Sequence, residues 1–145
     1  MFVGTYSPKL DEKGRIFLPA KFRDELKDGL VIVPFHDDCL ALYPVATFER
    51  KAQEIADLPE SFVQVREYQR WLANEASLDV PDKQYRVHIP SRLREYAGLD
   101  GQILARGSIV RVELWNPQRW DEHSAKQPRA YPDMDSAVRP KDLPA

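Results

Sequence analysis

Apolar residues along this chain fall in short bursts closed by proline or glycine, and the bursts recur. The run Leu10-Asp11-Glu12-Lys13-Gly14-Arg15-Ile16-Phe17-Leu18-Pro19, continued by Phe22 and Arg23, has a counterpart in Val80-Pro81-Asp82-Lys83-Gln84-Tyr85-Arg86-Val87-His88-Ile89-Pro90, continued by Leu93 and Arg94. The aspartates, the first arginines, the prolines and the second arginines are each 71 residues apart. A second anchor, Leu42-Tyr43-Pro44 with Phe48, returns 72 residues later as Leu114-Trp115-Asn116 with Trp120. Self-similarity at a fixed interval marks an internal duplication, so two like units are expected to build one structure with paired surfaces.

Within each copy, Arg15 to Pro19 and Arg86 to Pro90 are short and rich in β-branched or apolar residues, which suits a strand. Proline ends the ladder and opens a short amphipathic helix, Ala20 to Leu26 and Ser91 to Tyr96, with Gly29 and Gly98 where such helices stop. Two more strands follow: Leu30 to Val33 and Leu40 to Tyr43 in the first copy, Ile103 to Ala105 and Val110 to Trp115 in the second. Each repeat therefore reads strand, turn, strand, short helix, strand, strand. Between them Val45 to Ala56 and Phe62 to Leu72 have helical spacing, parted by a turn at Leu58 to Ser61 with Ser61 as the expected cap. The expected divisions are a first repeat over 1–50, a helical connection over 51–76, a second repeat over 77–124, and a flexible Pro-containing tail over 125–145.

At 145 residues the chain can bury a real core. One cysteine, Cys39, excludes an internal disulfide framework and suits a reducing compartment. No run is apolar enough to span a membrane, so a soluble cytoplasmic protein is expected. The net charge of −2 says little about nucleic acid until the charges are located. Lys9, Lys13, Arg15, Lys21, Arg23 and Lys27 crowd the first copy of the template, and Lys83, Arg86, Arg92 and Arg94 the second, while acids gather elsewhere. One cationic face on a near-neutral protein is the expectation.

Enzyme chemistry finds little support. His36-Asp37-Asp38-Cys39 holds potential metal ligands, but neighbouring strand residues point to opposite faces, and a polar turn is the better reading. There is no phosphate loop or nucleophile elbow. No catalytic residue, metal site or cofactor is expected. His88 reads as structural or exposed, and His123 has no evident partner.

The opening Met1-Phe2-Val3-Gly4, the Asp11-to-Arg15 turn leading to Pro19 and Arg23, the stretch Cys39-Leu40-Ala41-Leu42-Tyr43-Pro44 and Val112-Glu113-Leu114-Trp115 together resemble the MraZ family of bacterial transcriptional regulators, from residue 1 to about Trp120. The resemblance implies a mainly β fold with α additions, a swapped-hairpin barrel of the AbrB class built from two tandem repeats, with helices between and after them. It implies sequence-specific binding to short direct repeats of double-stranded DNA upstream of the division and cell-wall gene cluster, its own promoter included. It further implies association with the nucleoid and an octamer-like ring. Carried over by position, Arg15 and Arg86 are the first DNA contacts, with Lys13 and Lys83 beside them.

The residues support that role independently. A turn opened by Asp11 or Asp82 and closed through Gly14 holds its shape by side-chain-to-backbone hydrogen bonds and projects its basic residues. Arginine forks onto guanine or phosphate, whereas lysine acts as a point charge. Arg15 has a second role open to it: pairing with Asp11 to stiffen the turn. Tyr85 stands where the first copy has glycine, so a differently shaped second turn, and a smaller part for Arg86, are expected. Lys21, Arg23, Arg92 and Arg94 read as a solvated helix face. The alternative function is an AbrB-like protein-interaction module without specific DNA binding.

Overall fold

The computed structural model describes residues 1–139. The first copy comprises β1 (Thr5–Tyr6), β2 (Arg15–Phe17), a 3-10 turn at Ala20–Phe22 running into α1 (Arg23–Leu26), β3 (Leu30–Pro34) and β4 (Leu40–Pro44). Helices α2 (Val45–Ala56) and α3 (Val63–Glu75) follow, then β5 (Ser77–Asp79), β6 (Arg86–His88), α4 (Ser91–Ala97), β7 (Leu104–Gly107) and β8 (Val112–Trp115). Helices α5 (Pro117–Ser124) and α6 (Tyr131–Ala137) complete the described chain. The repeated order expected from the sequence is the order observed.

The strands do not stay within their own copies. One antiparallel sheet runs β1-β7-β8-β4-β3-β5, so β1 of the first copy edges β7 of the second, and β5 of the second edges β3 of the first. A separate two-stranded ribbon pairs β2 with β6. This is the swapped arrangement, mainly β with helical additions; its ladders form two sheets rather than one closed cylinder. The registers carry an internal near-twofold symmetry. Ile16 pairs with Val87 at the ribbon's centre and Ala41 with Glu113 where the halves of the large sheet meet, and in both cases the partners are the repeat equivalents.

The alternation of apolar and polar residues decides what faces inward. Ile16, Leu18, Val87 and Ile89 from the ribbon strands meet Leu30, Ile32, Leu40, Leu42, Val112 and Leu114 from the large sheet, with Phe22, Leu26 and Leu93 closing the ends. Each such side chain contributes about 1.5–3 kcal/mol by leaving water. On the outer face of the large sheet Val31, Val33, Ala41 and Tyr43 lie under the α2–α3 hairpin, through Phe48 and Leu72. The equivalent cover in the second copy is α5, whose Trp120 lies edge-on to Trp115 at 5.0 Å.

Four local expectations change. No side chain caps α3: it starts at Val63, with Phe62 rather than Ser61 at the cap position. Strand β8 starts at Val112 because Ile109, with a φ of 68°, turns the chain to bridge Phe2. His123 has partners after all, its ring resting 5.1 Å from Trp115 and 5.8 Å from Trp120. The stretch expected as a flexible tail contains a helix, α6, whose Pro132 falls in the first turn where no backbone donor is needed. The part of that expectation covering residues 140–145 lies outside the described residues.

Candidate nucleic-acid interface

The first turn is built around one carboxylate. Asp11 Oδ1 accepts the backbone N–H of Lys13 at 2.8 Å and of Arg15 at 2.9 Å, and Oδ2 accepts Arg15 Nε at 2.8 Å. Backbone bonds from Gly14 N to Asp11 O and from Asp11 N to Arg15 O close the loop. The Arg15 backbone N–H foremost, then its guanidinium and the Lys13 N–H, holds the Asp11 carboxyl below the ordinary aspartate range. The two roles open to Arg15 turn out to be compatible. Its Nε braces the turn, while both Nη groups, among the described residues, keep their donors free of protein partners.

The second turn copies the first, against the expectation of a different shape. Asp82 Oδ1 accepts Gln84 N and Arg86 N, each at 2.9 Å, and Oδ2 accepts Arg86 Nε at 2.8 Å. The Asp82 carboxyl is lowered by the same set of donors, the Arg86 backbone N–H first. Tyr85 takes a φ of 60° where Gly14 has 76°, so tyrosine accepts the left-handed backbone that glycine adopts freely. Its compensation is visible: the Arg23 guanidinium lies 4.8 Å over the Tyr85 ring.

Arg23 and Arg94, read from sequence as part of a solvated helix face, are half-buried supports of the turns. Arg23 Nε donates to Leu18 O at 2.8 Å and Arg94 Nε to Ile89 O at 2.9 Å. Each reaches across the repeats: Arg23 to the second turn, and Arg94 to the first, where a Cβ on Gly14 would come within 2.9 Å of its Cζ. The signal for them was present in the shared interval of 71, but it gave the equivalence without the partner. Lys21 is exposed as expected, and Arg92 lies 3.6 Å from Glu75.

Between the turns the ribbon presents an alternating face. Ile16 and Val87 are buried, which leaves Arg15, Phe17, Arg86 and His88 outward, paired across the strands as Arg15 with His88 and Phe17 with Arg86. Lys13 and Lys83 are both exposed at turn tips but occupy different positions: the turn hydrogen bonds equate Lys13 with Gln84, and Lys83 with Glu12. The remaining chemical candidate, His36–Asp38, is a 3-10 turn, and Cys39 beyond it is buried, with its thiol pushed up by burial. Among the described residues no three His, Cys, Asp or Glu side chains gather as a metal site, and no helix is long and apolar enough to cross a membrane.

The family model for the MraZ protein, described as antitoxin-like, matches the chain twice, over residues 1–70 and 72–138, once on each repeat. The chain belongs to the MraZ family. Transcriptional regulator MraZ of Cutibacterium acnes is 54% identical over 138 residues, covering 95% of this chain and 97% of that protein. The proteins of the same name from Thermobifida fusca and Micrococcus luteus are each 44% identical over 140 residues, covering 97% of this chain and 98% of theirs. In this MraZ-family chain the double match coincides with the near-twofold structure: each matched segment of the chain contains one braced arginine and one cross-repeat support.

Proposed function

We propose that this protein is a transcriptional regulator that binds double-stranded DNA through the β2–β6 ribbon and its two flanking turns. The observation carrying this reading is the pair of Asp-braced arginines, each held by Nε and offering its outer donors from one exposed ribbon. Arginine fixed in this way meets a guanine edge or a phosphate with little rotamer entropy left to lose. A two-stranded ribbon also fits the major groove, which is about 12 Å wide. The diagonal separation of Arg15 and Arg86, about 7–8 Å between positions two residues out of register, matches roughly two base-pair steps. Lys13 and Lys83 at the tips supply point charges for the backbone.

The target is short direct repeats upstream of the division and cell-wall gene cluster, including the protein's own promoter, in the nucleoid. Several ribbons act together in a ring-shaped, octamer-like oligomer, which raises avidity without new contacts. Exposed Tyr68, Trp71 and Leu78, on α3 and β5, support self-association, because an apolar surface of that kind is normally covered.

Fluorescence anisotropy with the duplex upstream of the gene and a shuffled duplex, over a salt series, tests the reading. Preference for the native duplex, a steep salt slope and loss of preference in Arg15→Ala are expected. Equal weak binding to both duplexes, unchanged in the mutant, would instead point to a protein-interaction module. Sedimentation as a monomer at micromolar concentration would remove the ring.

A further inference from the structure

The outer face of the ribbon is where the near-twofold symmetry fails. Its inner pair, Ile16 and Val87, is nearly self-equivalent, and so are the two arginines beside it. The two outward residues that complete the face are not: Phe17 in the first copy corresponds to His88 in the second. One end of the ribbon therefore presents Arg15 with His88, and the other Arg86 with Phe17. Phe17 is 53% exposed and belongs to neither buried cluster, although an aromatic side chain in a small protein ordinarily finds cover. Instead Phe17 borders a shallow cleft with Pro8, Leu10, Asp11 and Glu12, and across the ribbon it pairs with the braced Arg86.

We propose that Phe17 is a base-reading residue that takes the C5-methyl group of a thymine adjacent to the base or phosphate held by Arg86, and that the Phe17/His88 difference makes each ribbon read its DNA in one direction. The proposal rests on the DNA-binding reading above. The thymine methyl is the one apolar group on the major-groove edge of the base pairs, and an exposed ring at the groove floor is the side-chain type that recognises it. His88 places ring nitrogens, which donate or accept hydrogen bonds, at the opposite end. A fully twofold ribbon would match a palindromic half-site pair; unequal ends match a directional element, and the tip charges differ in the same way, Glu12 and Lys13 against Lys83 and Gln84.

The experiment is a titration of the native chain, Phe17→Ala and Phe17→His against the upstream duplex, with each thymine in turn replaced by deoxyuridine, which lacks only the methyl. The native chain is expected to lose about fourfold in affinity at one thymine position per site, the worth of one buried methyl. Phe17→Ala and Phe17→His should bind thymine and uracil duplexes alike. Phe17→His, whose ribbon then carries an Arg–His pair at both ends, should also discriminate less between the upstream duplex and one in which a single repeat is inverted relative to its neighbours. Because Phe17 lies outside the core, both variants should melt with the native chain, and the melts are recorded alongside. Native binding that prefers the upstream duplex but ignores every deoxyuridine overturns this inference and leaves the DNA reading standing. Retention of the thymine preference by Phe17→Ala overturns it as well. No preference for the upstream duplex overturns both readings.

Discussion

Gly14→Ala probes the turn where the two repeats differ most. Gly14 has a φ of 76°, and a Cβ there would lie 2.9 Å from Arg94 Cζ and 3.0 Å from its Nη2. The left-handed backbone costs an L-residue about 1–2 kcal/mol, offset by about 0.4–1 kcal/mol because alanine restricts the unfolded chain. The clash is with the far end of a flexible side chain, so it is relieved by moving Arg94. That movement strains or breaks the bond from Arg94 Nε to Ile89 O, a charge-assisted hydrogen bond worth about 1.5 kcal/mol at the low end. The sum is about 2 kcal/mol, which in a chain of this length lowers the melting temperature by roughly 6 °C. Tyr85→Ala at the equivalent position is the control. It keeps the left-handed strain already present and loses only the stacking of Arg23, about 0.5–1 kcal/mol. Thermal melts of both variants by circular dichroism measure the contrast. Should Gly14→Ala melt with the native chain, or no lower than Tyr85→Ala, the account of Arg94 packed beneath a glycine turn is wrong.

Because both turns have the same bracing, Arg15→Ala and Arg86→Ala should weaken DNA binding by similar factors, each reducing the salt slope by about one where the contact is to phosphate; anisotropy titrations at several salt concentrations check this. Asp11 and Asp82 have carboxyls lowered by folding, so the turn order they confer is fully present above the ordinary aspartate value of about 3.9 and is lost as pH falls through their depressed values. The Arg15 and Arg86 Nε–H resonances, followed by NMR, should stay ordered at about pH 5 and lose that order only as pH falls below the ordinary aspartate range. Ile16→Ala at the centre of the ribbon, 1% exposed, should cost about 2–5 kcal/mol in denaturant unfolding, since it empties a site where both copies meet.

Much of this protein is written locally. The Asp-to-Arg turns, the prolines that end their strands and the two central helices each depend on residues within a few positions of one another, and a local hydrogen bond or a period of 3.6 is visible in any single stretch. The duplication, too, needs only an alignment of the chain with itself. What the sequence left open concerns partners. A strand's alternation says which residues turn inward but not which strand lies beside it, and β1 or β5 could have paired within its own copy as far as the pattern goes. Only the folded chain places β1 on β7 and β5 on β3, and with that exchange come the contacts that cross the repeats: Arg94 against Gly14, Arg23 over Tyr85, and Phe17 opposite Arg86. The left-handed Tyr85 shows the same limit. Its local preference argued for a different turn, and the hydrogen bonds to Asp82, the ribbon pairing and the arginine stacked on its ring together outweigh that preference, because residues far apart in the chain close on one small site.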